Sequence, residues 1–223
     1  MPFAPFCGHS LHAILPGTPP ANKPKAVDHR LCRVANGSPD KGFLQYSEPR
    51  KGPSSVEQRS IEAIVLALNT AGARYLIAGG LAVVAHGYVR FTADLDLILD
   101  LEKENANRGL RALASLGYQP RAPVKLDDFA DPQKRREWVS DKGLTVFSLF
   151  SREHVATEVD LFVELPFDFD AAYAAAARLE IAPGLPATFV SYEHLVELKR
   201  QAGRPQDLDD IAKLQAVRQS PPT

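Results

Sequence analysis

"GGLAVVAHGYVRFTADLDLILD", residues 79–100, decides how this chain is read. Two glycines open a short helical pattern, and thirteen residues separate Gly80 from Asp94. Asp94 and Asp96 then stand one residue apart in a run that is otherwise apolar. Alternation puts Leu95, Leu97 and Leu99 on one face of a strand and Asp94, Asp96 and Ile98 on the other. Two carboxylates pointing the same way repel, and burial raises that cost. Either the run is a solvated edge strand, or a cation sits between the acids. Carboxylate oxygens are what Mg²⁺ prefers.

A third acid interrupts a second apolar run. Asp160 lies among Val159, Leu161, Phe162 and Val163, and if that strand lies beside the first, three carboxylates converge. Acids on adjacent strands suit two metal ions working on a phosphoryl group, one activating the attacking oxygen and one steadying the leaving group. Gly79 and Gly80 fall where a strand gives way to a helix, a place where backbone N–H groups can approach a phosphate.

Around this centre the patterning predicts one α/β (α+β) domain, a small mixed sheet flanked by helices with a helical C-terminal end. "SSVEQRSIEAIVLALNTAG" is a helix with Ile61, Ile64, Val65 and Leu68 on its apolar face, and "RYLIAG" a short buried strand. "KENANRGLRALASLG" is a helix, "GLTVFSLF" and "TEVDLFVEL" are neighbouring strands, and "DFDAAYAAAARLE" is a helix with an acidic first turn. The stretch 120–143 is irregular and charged, with "DPQKRREW" as a helical turn or lid. Two helices, "SYEHLVELKRQAG" and "RPQDLDDIAKLQAVR", close the chain.

Residues 1–54 differ in kind: rich in Pro, with little apolar periodicity, they bury too little surface to offset chain entropy. The expectation is a disordered extension, or a start codon placed too far upstream, followed by a domain over 55–218 and a tail over 219–223. Cys7, His9, His12, His29 and Cys32 lie in that N-terminal stretch, but their spacing matches no common zinc finger.

Charge narrows the partners. Residues 1–55 carry seven Lys/Arg against three Asp/Glu, and the remainder nineteen against twenty-four. An acidic body does not support a broad grip on a nucleic-acid backbone. No run reaches the roughly 18–20 apolar residues of a membrane helix, and no basic n-region with an apolar h-region opens the chain, so a cytoplasmic protein without membrane contact is expected.

The pattern of Gly-Gly, thirteen residues, "DLD" and a later "EVDLF" resembles the signature of the nucleotidyltransferase superfamily, the DNA polymerase β-like fold. More narrowly, residues 79–97 and the block from Leu198 to Ile211 resemble the AbiEii/AbiGii toxin-like nucleotidyltransferases. The resemblance spans about residues 56–218 and implies transfer of an NMP from an NTP to a hydroxyl with release of pyrophosphate. It implies Asp94 and Asp96 as ligands of Mg²⁺, two ions in all, with Asp160 completing the site and helping to deprotonate the acceptor. Gly79 and Gly80 then hold the triphosphate, Lys199 faces phosphates or base, and Arg90 and Thr92 shape the rim. In such toxins the acceptor is tRNA and an antitoxin is the partner; other members of the superfamily modify aminoglycosides, which leaves a small-molecule acceptor as the alternative. A non-catalytic nucleotide-binding or partner-binding domain is the reading from another class.

Several residues carry plainer readings. His86 before Gly87 is a packing or capping residue; Lys199 also suits the basic last turn of a helix. Asp207, Asp209 and Asp210 suit the first turn of the next, with Arg204 pairing with them. "QKRREW" is read first as a solvated turn anchored by Trp138, and second as an RNA contact in which Trp138 stacks on a base.

Overall fold

The computed structural model describes residues 57–219; the N-terminal extension, its cysteines and histidines, and the last four residues lie outside them. Helix α1 (Gln58–Thr70) buries Ile61, Ile64, Val65 and Leu68, as its periodicity requires, and ends in a turn at Gly72 with φ +61°. Strand β1 (Tyr75–Ile77) is wholly buried and leads straight into α2 (Gly79–Ala85). Strand β2 (Asp94–Leu99) follows, and then α3 (Lys103–Ser115), whose N-cap Glu102 accepts a hydrogen bond from the Asn105 amide. Gly109 lets α3 lie close on the sheet, because a Cβ there would come within 3.0 Å of Leu99.

After β3 (Gln119–Pro120) come a 3-10 turn (Leu126–Ala130) and α4 (Pro132–Lys142). Strands β4 (Val146–Phe150) and β5 (Glu158–Phe162) follow, then α5 (Phe169–Ala174). The hairpin of β6 (Ala177–Ala182) and β7 (Leu185–Phe189) precedes α6 (Tyr192–Ala202) and α7 (Pro205–Gln219).

The strands form one seven-stranded mixed sheet in the order β3-β4-β5-β2-β1-β7-β6. The β2–β5 and β1–β7 pairs are parallel and the other four antiparallel. Helix α1 packs on α3 and β7, and α3 on β2, so the leucine face of β2 is sealed. On the other face α2 packs on β2 and α6, and α6 on α7, leaving the acidic end of β2 open to a cleft.

The expected α/β architecture is the observed one, with three local corrections. Residues 132–142 form a complete helix rather than a turn or lid, capped by Asp131 and stopped by Gly143 at φ +61°. Trp138 is buried, stacked on Phe147 with ring centres 5.0 Å apart, and Arg135 is buried too. This removes Trp138 as a base-stacking platform and shows that the stretch is anchored in the core. The alanine-rich segment leaves the helix at Ala174, where the sequence pattern continued it, and 177–182 is instead an edge strand. Alanine favours a helix locally, but pairing with β7, Ala177 opposite Phe189 and Leu179 opposite Ala187, decides the matter. The two-residue β3 was also unexpected.

Candidate active site

The site grows from the parallel pairing of β2 and β5. Their register sets Asp94 opposite Glu158 and Asp96 opposite Asp160. Parallel partners share a face, so Asp94, Asp96 and Asp160 converge as expected, and all three line a cleft of about 900 Å³. That volume suits a drug-sized or nucleotide-sized ligand. Glu158 joins them as a fourth acid that the sequence reading passed over. It lies two residues before Asp160, so the same alternation that placed Asp160 places Glu158 on its face; it is tied to Arg121 in an ion pair.

Electrostatics register the crowding. Burial, then the charges of Asp160 and Asp94, push the Asp96 carboxyl up to about 6, although Lys199 and Arg204 pull it down. Asp94 is raised as well, by burial first and then by Asp160 and Glu158. Asp94 and Asp96 thus hold their protons more tightly than isolated acids do, and a cation between them would relieve this.

Gly79 sits beneath Asp96. Its φ is +57°, and a Cβ there would come within 1.7 Å of Asp96 Oδ2. Two requirements thus fall on one residue: a left-handed backbone and no side chain. Gly80 has no special backbone angle but an equally tight surrounding. A Cβ at Gly80 would stand 2.3 Å from Thr92 Oγ1 and 3.0 Å from Arg90 Nη2. The glycine pair is therefore a fitted surface against which Asp96, Thr92 and Arg90 lie.

The opposite wall comes from α6 and α7, with Leu195, Leu198, Lys199, Gln201, Arg204 and Asp207 facing the acids. Lys199 is buried, and its Nζ donates to Asp207 Oδ1 at 3.1 Å and Asp210 Oδ2 at 2.6 Å. It lines the cleft as expected of a ligand-facing lysine, yet its ammonium is already committed to two carboxylates. Arg204 pairs with Asp207 through Nε at 2.7 Å and Nη2 at 3.3 Å, the pairing its spacing suggested. Thr92 Oγ1 donates to the Asp94 carbonyl at 3.3 Å, and Arg90 Nη1 donates to the Phe91 carbonyl at 2.7 Å.

His86 and His154 take structural parts. His86 Nε2 is 2.9 Å from the Val190 carbonyl, with its ring edge-on to Tyr192. His154 Nδ1 is 2.9 Å from Ser60 Oγ and its ring stacks on Tyr118.

The oxygen-only donor set and the glycine that makes room for Asp96 fit a hard divalent cation such as Mg²⁺. Among the described residues no three His, Cys, Asp or Glu side chains stand already gathered at a metal-holding geometry. Among the described residues no helix is long and apolar enough to cross a membrane.

No family model and no curated protein matches the chain. Among solved structures it is similar to the lincosamide antibiotic adenylyltransferase LnuA in its lincomycin-bound form, at 16% identity and a TM-score of 0.49 over 73% of this chain and 99% of that one. It is similar to ANT(2")-Ia in complex with adenylyl-2"-tobramycin, at 14% identity and a TM-score of 0.45 over 73% of this chain and 89% of that one. A third is an antigenic nucleotidyltransferase-like protein from Paracoccidioides brasiliensis, at 20% identity and a TM-score of 0.46 over 74% and 78% of the two chains.

Proposed function

We propose that this chain is a nucleotidyltransferase that moves an NMP from an NTP to a hydroxyl acceptor and releases pyrophosphate. The observation that carries this reading is the β2–β5 register, which sets Asp96 and Asp160 directly opposite one another with Asp94 one pleat away, all three facing one cleft. A core-patterned strand that concentrates like charge over a glycine shaped to receive it costs stability, and the cost is understandable only if a cation and an anionic substrate offset it. Asp94, Asp96 and Asp160 would hold Mg²⁺, which when bound would supply charge stabilisation at the transferring phosphoryl group. Asp160 accepts the proton of the attacking hydroxyl. Arg90 and Thr92 lie over Gly80 and hold the phosphate chain, and Arg204 adds positive charge from the facing wall.

The acceptor that the cleft supports best is a small neutral or cationic alcohol. The floor beyond Asp160 offers Val146, Phe162 and Pro166, and the helix that carries "QKRREW" has Arg135 and Trp138 turned into the core rather than toward RNA. A second reading, tRNA as acceptor for a toxin with an antitoxin partner, is favoured by the resemblance of Leu198–Ile211 to the toxin-like group.

Incubation with each of the four α-³²P NTPs, Mg²⁺, and either total RNA or a panel of small amino-alcohols tests both readings, with Asp94→Ala/Asp96→Ala as control. Label that moves to a small acceptor and vanishes in the control supports the first; label on RNA supports the second. No label on any acceptor and no pyrophosphate from any NTP would leave a non-catalytic domain and sink the proposal.

A further inference from the structure

Arg90 is the cation nearest the glycine pair, and its orientation is set from α7. Its Nε lies 3.0 Å from Oδ1 of Asp210, which is 1% exposed and whose other oxygen takes the Lys199 ammonium at 2.6 Å. Nη1 is spent on the Phe91 carbonyl at 2.7 Å. Nη2 is the corner that reaches over Gly80, inside the cleft. We infer that Asp210 is a positioning residue for phosphate binding: it aims Arg90 so that Nη2 meets the phosphate chain of the NTP and then the departing pyrophosphate. The inference rests on the nucleotidyl-transfer reading and adds to it a residue that never touches substrate.

Three features of the geometry support it. First, the Arg90–Asp210 pair is buried and close, yet neither Arg90 Nε nor Asp210 Oδ1 makes an aligned hydrogen bond. Asp210 thus holds the Nε side by charge while Nη1 is fixed on the Phe91 carbonyl, and the two together set where Nη2 points. Second, Gly80 supplies the space: a Cβ there would press on Thr92 Oγ1 at 2.3 Å and meet Arg90 Nη2 at 3.0 Å, so the Nη2 end lies against the bare glycine. Third, Asp210 is the point where two cleft-lining cations from separate elements, Lys199 of α6 and Arg90 of the α2–β2 loop, meet one carboxylate. The network ties the C-terminal helices to the loop beside the reacting acids.

The test is calorimetric titration of the full chain with pyrophosphate in excess Mg²⁺, which needs neither the base nor the acceptor to be known. Losing an aimed charge-assisted contact is expected to weaken pyrophosphate about tenfold or more. Asp210→Asn is expected to show that loss, Arg90→Gln a similar one, and the double variant no more than Arg90→Gln alone, because Asp210 acts through Arg90. Asp210→Glu restores most of the affinity. A merely structural role predicts instead that the Asp210→Asn loss persists on the Arg90→Gln background, and that result would overturn the inference. So would unchanged binding in Asp210→Asn while the wild type binds. If Asp210→Asn fails to fold by thermal melting, Arg90→Lys decides, since it keeps the charge and Asp210 but removes the Nε that Asp210 holds and the fork it aims; unchanged pyrophosphate affinity there refutes the positioning. A wild-type chain that binds neither pyrophosphate nor any NTP removes the functional reading itself, and the inference with it.

Discussion

Replacing Asp96 by Asn is expected to stabilise the cation-free protein above neutral pH. The folded chain holds the Asp96 proton more tightly than the unfolded chain does, because burial and the charges of Asp160 and Asp94 oppose ionisation. A carboxyl moved from 3.8 to about 6 therefore contributes stability that is complete below about pH 4 and is lost as pH rises through about 6. The rise from 3.8 to about 6 is worth about 3 kcal/mol, and partial solvent access to the half-buried side chain brings the expected effect nearer 2 kcal/mol. In a domain of this size that is roughly 4–8 °C in Tm. Thermal and urea melts from pH 4 to pH 8 in chelator read it directly. Wild type should lose stability over that range relative to Asp96→Asn, with the two coinciding near pH 4 and the variant ahead at pH 8. Adding Mg²⁺ at pH 8 should raise the wild type and close the gap. Parallel pH profiles, or an Asn variant less stable than wild type at pH 8 without metal, would show that the acids are not strained against one another and that the electrostatic basis of the site is wrong.

Two further perturbations follow from the same geometry. Gly79→Ala forces a non-glycine residue to φ +57° and drives Asp96 Oδ2 away from a Cβ that would lie 1.7 Å from it. It should cost about 1–2 kcal/mol for the left-handed backbone alone, and a displacement of about 1 Å at the carboxylate proposed to hold the metal should lower kcat about a hundredfold; urea titration and pyrophosphate release check the two parts separately. Lys199→Met leaves Asp207 and Asp210 buried without their shared ammonium, and should cost about 3–5 kcal/mol in urea. Stability unchanged in Lys199→Met would mean that the ion network does not hold α6 and α7 to the cleft.

How far the chain could be read without coordinates depended on whether a residue's partner lay within its own element. The face of β2 was legible because alternation is local: Leu95 and Leu97 go one way, Asp94 and Asp96 the other. The same rule found Asp160 and contained Glu158, two residues earlier on the same face. β6 was not legible. It is the sheet's edge strand, mostly exposed over Arg178–Glu180, so it carries no alternation, and its alanines point to helix until β7 is laid beside it. In α4 Trp138 is the anchor that the first reading of the stretch made it, but the stretch was read as a turn, since a charged helix with one aromatic shows its solvated side to the reader and hides the side that meets Phe147.

The C-terminal block marks the sharper limit. Lys199 in a last turn and Asp207 in a first turn each satisfy a helix-end preference by themselves, and the sequence pattern sets Asp210 in that same first turn although it sits one turn further in, so nothing local asks for a second explanation. Their meeting depends on the turn at Gly203, φ +62°, which folds α7 back on α6 and brings residues eight and eleven positions apart onto one ammonium. Once that happens the lysine is no longer a free cation awaiting phosphate, and Asp210 is no longer a helix cap. It holds Lys199 with one oxygen and faces Arg90 with the other, across from the glycines. Charged residues in a sequence are ambiguous because a charge is defined by what it meets. Here what Asp210 meets lies on α6 and on the loop before β2, and the turn at Gly203 turns three helix-end preferences into one wall of a site.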